Sequence, residues 1–313
     1  MNTQATKENI ALTTQENSAL TPDFAFFSDT LRDSLRGSVF NNSERGYVSG
    51  LGGHTGTIAD SFRGQPFWCD QPVQTINYAS CHDNMTLYDR LTQSNPDASE
   101  EDRIRMNYLA AAIVMTSQGV PFIQAGEEML RSKRLPDGSF DHNSYQSPDS
   151  VNSLKWNDLN DKAYQQVCDY YGGLIDFRQA HPALRMTTAE GVNAHISNLP
   201  SLDFNVTGFH IAKGANGEVD DIIVIFNPGS EATTVRLPEG VWRICVDAYN
   251  AGIGTLDRVQ GEVTVEPISA MVLVESVAPG RRSDCSCKSV APFALVSAIT
   301  MITVGAFLLL RKH

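Results

Sequence analysis

The chain has 313 residues, of which 42% are hydrophobic, and a formal net charge of -12 at pH 7. This length suffices for two domains and a tail, and the apolar content is typical of globular proteins. The acidic balance argues against nucleic acid as a partner, because the chain has no basic stripe that would neutralise phosphates. It is compatible with a neutral ligand. The spacing of the 6 cysteines gives neither a disulfide framework nor a C-x-x-C metal pair. We predict no cofactor, although a calcium site stays open.

Both ends of the chain differ in composition from the middle. Residues 1–20 are polar throughout and contain no secretory signal, which indicates a linker or a leftover segment. Near the other end, a polar spacer at 277–289 precedes an apolar run without charge at 290–310, which is long enough to cross a bilayer as a helix. The basic residues at 311–313 follow, and by the positive-inside tendency they stay in the cytoplasm. We therefore expect a membrane anchor at 290–310, with the bulk of the chain outside the cell at its surface.

Strand and helix signals alternate through residues 21–185. They comprise a strand at 72–80, a helix that starts at Glu100, a strand at 120–125 and a helix at 162–179. This alternation predicts parallel strands joined by crossover helices. A closed eight-stranded α/β barrel needs about 200 residues or more, so this stretch is too short to form one.

The next stretch, residues 186–276, shows strand signals only. Short segments with alternating apolar residues are separated by turn sequences, and they lie at 204–212, 222–227, 232–237, 241–248, 261–266 and 270–275. This pattern predicts an all-β antiparallel sandwich domain.

The clearest chemical signal is the segment SCHDN, residues 80–84, at the end of the first predicted strand. In parallel α/β folds, ligands bind at the carboxyl ends of the strands. A His-Asp pair placed there offers a hydrogen-bond donor and a charged acceptor to a polar ligand. The alternative is structural, with His82 and Asp83 capping the helix that follows.

Several segments resemble a known family of enzymes. INYASCHDNMTLYDRL resembles the fourth shared motif of the α-amylase superfamily in its pullulanase form, and GVPFIQAGEE is similar to the last-strand motif of that superfamily. Other segments look specific to type I pullulanases: FAFFSDTLRDSLRGSVF, LRSK, NSYQSPDSVNSLKW and RQAHPALR. Because the match runs in order through residues 21–276, the chain resembles the C-terminal portion of a type I pullulanase.

The resemblance implies a fold and an activity. We expect an α/β architecture, in which 21–185 form the last units of an incomplete (β/α)8 barrel and 186–276 form the antiparallel sandwich. With the transmembrane helix at 290–310, this completes the expected fold class. The implied activity is hydrolysis of α-1,6 branch linkages in pullulan, starch or glycogen with retention of configuration, and the implied partner is the α-glucan substrate.

The resemblance also assigns roles to particular residues. Asp83 matches the carboxylate that stabilises the positively charged transition state, and His82 matches a histidine that holds the sugar in the same subsite. Asn84 extends these hydrogen bonds, Asp149 matches a contact to the next sugar, and Tyr145 is an aromatic residue able to stack on a sugar face. These five residues are the predicted site.

The family's nucleophile and acid/base are the main departure. Both belong to motifs that we do not find in this sequence, and we expect the chain to begin just past them and to be inactive alone. Glu127 and Glu128 follow the second strand, but a structural role is favoured for them. One alternative is a non-catalytic cell-surface protein that binds glucan, and another is an inert product of a broken gene. The preferred glucan and the oligomeric state stay open.

Overall fold

The computed structural model describes residues 14–276. Its first half is built on a parallel sheet of three strands in the order β1-β2-β3. The strands are β1 (Phe26–Phe27), β2 (Thr75–Tyr78) and β3 (Val120–Phe122). The sequence predicts β2 and β3 and their parallel arrangement, although both strands are shorter than predicted. It does not predict β1, because a strand of two residues has no readable periodicity.

Seven α-helices occur among residues 14–276, and most of them begin at a side chain that caps the first turn. They are α1 (Asp29–Arg36), α2 (Thr55–Phe62), α3 (Leu87–Ser94), α4 (Glu100–Thr116), α5 (Asp149–Asn152), α6 (Lys162–Ala180) and α7 (Ala189–His195). The hydroxyl of Ser99 accepts the main-chain N–H of Asp102 at the start of α4, and Asp161 accepts that of Ala163 at the start of α6. Such caps satisfy main-chain donors that the first helical turn leaves free.

The second half is one antiparallel sheet of six strands in the order β4-β5-β6-β9-β7-β8. The strands are β4 (Ile196–Asn198), β5 (Thr207–Ile211), β6 (Ile222–Asn227), β7 (Thr233–Val246), β8 (Asp257–Val265) and β9 (Ser269–Glu275). The predicted sandwich of two sheets is therefore wrong. Two of its predicted strands, 232–237 and 241–248, are the single long strand β7, whose pairing with β8 shifts register between Arg236 and Val241.

The two faces of this sheet are buried in different ways. One face packs against the helices, where the ring of Phe62 in α2 stacks on Phe209 in β5 with 3.9 Å between centroids. On the other face, Ile223 and Ile225 share a smaller apolar cluster with Val235, where β7 pairs with β8. The sheet therefore closes its outer face with its own strands and needs the helices to cover the inner face.

Two further expectations about the fold require correction. Residues 186–276 are not strands only, since α7 precedes β4. The predicted fold class also ended in a transmembrane helix, but no helix within residues 14–276 is both long and apolar enough to cross a membrane. The predicted span at 290–310 and the spacer at 277–289 lie outside the described residues.

Candidate functional site

The segment just after β2 is hydrogen-bonded to the segment that follows β3. Ser80 is fully buried, and its hydroxyl donates to Glu127 Oε2 over 2.5 Å and lies 3.1 Å from Gln124 Oε1. Both partners lie just beyond β3. This connection fixes the point at which the chain leaves the sheet and continues into His82 and Asp83.

His82 and Asp83 project from that point into solvent. Their side chains are 88% and 74% exposed, and His82 Nε2 lies 3.4 Å from Asp83 Oδ1. Asn84 follows with a φ of 64°, in the left-handed region that asparagine tolerates better than most residues. The loop therefore turns sharply after Asp83 and leaves the carboxylate accessible to a ligand.

Four of the five predicted site residues meet at one cavity. His82, Asp83, Asn84 and Tyr145 all line a cleft of about 330 Å³. Tyr145 is 77% exposed, so its side chain is accessible to a ligand. The structure thus brings these side chains together, while their individual roles stay predictions.

Asp149 lies apart from these four residues. It is exposed at the start of α5 and is not among the residues that line the cleft. The hydroxyl of Ser153 donates to the main-chain oxygen of Asp149 over 2.6 Å rather than to its carboxylate. Asp149 therefore lies outside the lining of the cleft, and its contact to a neighbouring sugar stays a prediction.

The cleft is also lined by residues from the segment after β3 that the sequence does not predict. Arg131, Lys133, Asn143 and Asn152 all line it. The available signal was the LRSK segment, residues 130–133, which the resemblance includes without giving a role to its lysine.

The buried side chain of Lys133 is hydrogen-bonded to residues 82–84, the HDN segment. Its side chain is almost fully buried, and Nζ donates to the main-chain oxygens of His82 at 2.8 Å and Asn84 at 3.1 Å. Its main-chain N–H donates to Asp89 Oδ2 at 2.7 Å. Burial lowers the pKa of Lys133 and raises the pKa of Asp89. Two carbonyls that flank Asp83 are therefore fixed by one buried ammonium.

Glu127 is part of a buried polar network. It is only 5% exposed and, besides Ser80, it lies 3.2 Å from the hydroxyl of Tyr171, which in turn lies 2.7 Å from Asn107 Oδ1. Burial raises the pKa of Glu127 to about 7. Glu128 accepts the main-chain N–H of Gly126 at 2.9 Å. Both carboxylates are thus engaged with protein groups, in agreement with the structural role favoured for them.

Residues 14–276 contain no group of three or more His, Cys, Asp or Glu side chains that would hold a metal ion. The groups that line the cleft include imidazole, carboxylate and amide groups beside an exposed aromatic ring, and such groups exchange hydrogen bonds with hydroxyls.

Parallel strands with polar side chains at their carboxyl ends, followed by an antiparallel sheet, agree with the architecture expected for the end of an α-amylase-type glycosidase. Residues 192–250 match the family model described as the all-beta domain of pullulanase. The chain is 31% identical over 238 residues to a pullulanase of Bacillus subtilis, covering 74% of this chain and 32% of that protein. It is 29% identical over 250 residues to pullulanase A of Streptococcus pneumoniae serotype 2, covering 65% of this chain and 19% of that protein.

Solved structures show the same similarity. The pullulanase from Bacillus acidopullulyticus superposes with a TM-score of 0.76 at 38% identity, over 80% of this chain and 30% of that one. A Paenibacillus barengoltzii pullulanase, in complex with maltohexaose and α-cyclodextrin, gives 0.74 at 32% identity, over 84% of this chain and 40% of that one. The predicted resemblance to the C-terminal portion of a pullulanase is therefore confirmed. The chain spans about a third of the length of the Bacillus subtilis relative.

Proposed function

We propose that this chain is the C-terminal part of a debranching glycoside hydrolase that acts on α-1,6 linkages of pullulan, starch or glycogen. The observation that carries the proposal is the convergence of His82, Asp83, Asn84 and Tyr145 on one cleft at the carboxyl end of β2. The similarity to pullulanases, one of them in complex with maltohexaose, supports an α-glucan as the ligand.

The predicted site residues each have a chemical role in the proposal. Asp83 provides a fixed negative charge close to the sugar carbon that becomes positive during glycosidic cleavage. The imidazole of His82 and the amide of Asn84 bind hydroxyls of the same sugar. Tyr145 packs its ring against the apolar C–H face of a sugar. Asp149 is retained as a candidate contact for a neighbouring sugar unit on the same loop.

Hydrolysis itself requires two further groups. A retaining glycosidase uses a carboxylate nucleophile and a carboxylic acid, about 5–5.5 Å apart, on either side of the scissile bond. Glu127 is buried and hydrogen-bonded, which leaves it unavailable for either task. We propose that the 313-residue chain binds α-glucan through the cleft and does not cleave it. An extracellular location stays a prediction that the described residues do not test.

Calorimetric titration of the 313-residue chain with maltohexaose tests the proposal. We expect binding that weakens by about fivefold or more in Tyr145→Ala, because loss of one stacking contact costs about 1 kcal/mol. Tyr249→Ala is the matched control, since Tyr249 is a partly exposed tyrosine that contacts Arg105 away from the cleft. Equal affinity in all three proteins, or no binding to the folded wild type, would remove the basis of the proposal.

A further inference from the structure

The cleft has two walls, which come from different segments of the chain. One is the HDN segment, and the other is residues 142–147, which we call the Tyr145 turn. The Tyr145 turn contributes four residues to the lining: His142, Asn143, Ser144 and Tyr145. Its regular structure is one short 3₁₀ turn, Ser144–Gln146. Because the hydrogen bonds of such a turn have poor geometry, side chains outside it matter for its position.

Asp141 connects the two ends of the Tyr145 turn. Its Oδ2 accepts the hydroxyl of Ser147, and its Oδ1 accepts the main-chain N–H of Asn143 at 2.8 Å. The hydrogen bond from Ser147, followed by that from Asn143, lowers the pKa of the Asp141 carboxyl below its ordinary value of 3.8. The group is therefore a carboxylate at neutral pH, with one acceptor oxygen for each end of the turn.

The main chain of Asp141 is bonded to the residue that holds the other wall. Its N–H donates to the main-chain oxygen of Lys133 at 2.9 Å, and Lys133 Nζ donates to the HDN segment. Between them, Arg134 and Phe140 pair as an antiparallel bridge, so residues 133–141 form a hairpin. The contact at the base of this hairpin therefore connects the two walls of the cleft.

Asn152 in α5 supports the Tyr145 turn from another side. Its Nδ2 donates to the main-chain oxygens of Ser144 at 2.6 Å and Ser147 at 3.0 Å. Asn152 also lines the cleft, so a substitution there would change the lining as well as the support. Asp141, in contrast, is not among the described residues that line the cleft. An effect of Asp141 on binding would therefore pass through the residues that it holds.

We propose that Asp141 is a positioning residue of the cleft, which fixes the Tyr145 turn against Lys133 and so holds Tyr145 where it contacts a sugar. The proposal rests on the proposed function, because it assumes that an α-glucan binds in the cleft. A side chain on a turn that is already fixed loses less conformational freedom when a ligand binds, and this preorganisation increases affinity.

Calorimetric titration of the 313-residue chain with maltohexaose tests the proposal. We expect Asp141→Ala to weaken binding by about fivefold, as Tyr145→Ala does. Asp141→Asn should stay within about twofold of the wild type, because the amide keeps an oxygen for the N–H of Asn143 and donates its own N–H to Ser147. In the double variant Asp141→Ala/Tyr145→Ala, binding should be within about twofold of that of Tyr145→Ala alone, since Asp141 acts through that residue.

Asp137→Ala is the matched control. Asp137 lies in the same hairpin, is exposed, and accepts the main-chain N–H and the hydroxyl of Ser139 at 3.0 and 2.6 Å. It is not among the described residues that line the cleft, so its loss should leave the affinity unchanged. Circular dichroism checks that every variant is folded.

The possible results separate this proposal from the proposed function. Wild-type affinity in Asp141→Ala, together with a loss in Tyr145→Ala, would overturn the role of Asp141 and leave the proposed function standing. Losses that multiply in the double variant would show that Asp141 acts independently of Tyr145, and equal losses in Asp137→Ala and Asp141→Ala would show a general loosening of the hairpin. Either result would overturn the proposal. A folded wild type that does not bind maltohexaose would contradict the proposed function itself.

Discussion

The ammonium of Lys133 donates a hydrogen bond to the main-chain oxygen of His82 over 2.8 Å. A second bond to the oxygen of Asn84 means that one buried cation fixes the chain on both sides of Asp83. The orientation of the Asp83 carboxylate therefore depends on a lysine from another segment of the chain. Residues that hold a functional group in this way are as important for its geometry as the strand from which it projects.

Lys133→Met tests this dependence. The substitution keeps most of the apolar stem and removes the donor, so the oxygens of His82 and Asn84 lose a charged partner. We expect the free energy of unfolding to fall by about 1.5–3 kcal/mol, as for other hydrogen bonds to charged groups. Maltohexaose binding should weaken as well, because the HDN segment is released. Urea unfolding and calorimetry measure the two effects.

Lys155→Met is the matched control for that variant. Lys155 also donates to main-chain oxygens, those of Asp149 at 3.3 Å and Ser150 at 2.9 Å, but it is exposed. Lys155→Met should change the free energy of unfolding by no more than about 0.5 kcal/mol. If Lys133→Met proved as stable and as competent in binding as Lys155→Met, the dependence of the site on Lys133 would be disproved.

The parts of the fold that the sequence predicts are long or locally determined. Helix α4 begins at the predicted Glu100, and α6 occupies Lys162–Ala180 against a predicted 162–179. Strand β6 matches its predicted bounds of 222–227. Caps and apolar periodicity lie within these segments, so their sequences contain the necessary information.

The arrangement of the strands depends on distant contacts. An apolar alternation shows that a strand has a buried face, but not whether a second sheet or a set of helices covers it. Here the inner face lies on the helices, through contacts such as Phe62 on Phe209. The predicted sandwich failed for this reason.

The candidate site also contains residues that the sequence predicts and residues that it does not. His82 and Asp83 were identifiable because they directly follow a strand, whose carboxyl end is where ligands bind in parallel folds. Lys133 and Arg131 reach the cleft from a long loop, whose path has no periodicity to reveal it. The sequence could not predict that Asp149 lies outside the cleft, because the path of this segment has no periodicity either.

A prediction about pH follows from the burial of Glu127. Its pKa of about 7 in the folded protein exceeds the ordinary value of 4.5. The folded state therefore binds more protons than the unfolded state between these values, and the stabilisation present below pH 4.5 is lost as pH rises through 7. We expect a fall of up to about 3 kcal/mol in the free energy of unfolding from this residue. Urea titrations from pH 4.5 to pH 8 measure it.

Glu127→Gln should flatten this pH dependence, because the amide resembles the protonated acid in shape and charge. Glu128→Gln is the control and should retain the slope of the wild type. The chain has other titrating groups, so the quantity to compare is the difference in slope between the two variants. Parallel curves for Glu127→Gln and Glu128→Gln would refute the assignment.

The contact between the helices and the antiparallel sheet gives a third prediction. Phe62 is fully buried and lies against Phe209 and Phe226. Phe62→Ala should destabilise the protein by about 3–5 kcal/mol, the usual cost of removing a buried aromatic ring. Phe67→Ala is the control in the same stretch, since Phe67 is 89% exposed. Chemical denaturation compares them, and a difference below about 1 kcal/mol would contradict a shared core.

The absence of turnover is a fourth prediction. We expect the 313-residue chain to release no reducing ends from pullulan, because retaining hydrolysis needs a carboxylate pair in the site. The only carboxylate among the described residues that lines the cleft is Asp83. The assay uses purified chain, with the Bacillus subtilis pullulanase as the positive control. Turnover that survives in the wild type and disappears in Glu127→Gln or Glu128→Gln would overturn this prediction.

The last prediction concerns Asp83 in a complete barrel, made by replacing the corresponding C-terminal segment of the Bacillus subtilis pullulanase with residues 21–276 of this chain. Asp83→Asn keeps the shape of the side chain and removes its charge. Cleavage develops positive charge on the sugar, so a fixed carboxylate stabilises the transition state more than the ground state. We expect kcat on pullulan to fall by about 10²–10³, as for the loss of one preorganised electrostatic contact. His82→Ala should act partly through KM, because a neutral donor to hydroxyls binds substrate in both states. Asp60→Asn, an exposed carboxylate on α2, is the control and should leave kcat unchanged. Folded Asp83→Asn with near-normal kcat would show that Asp83 serves only the local structure of the loop.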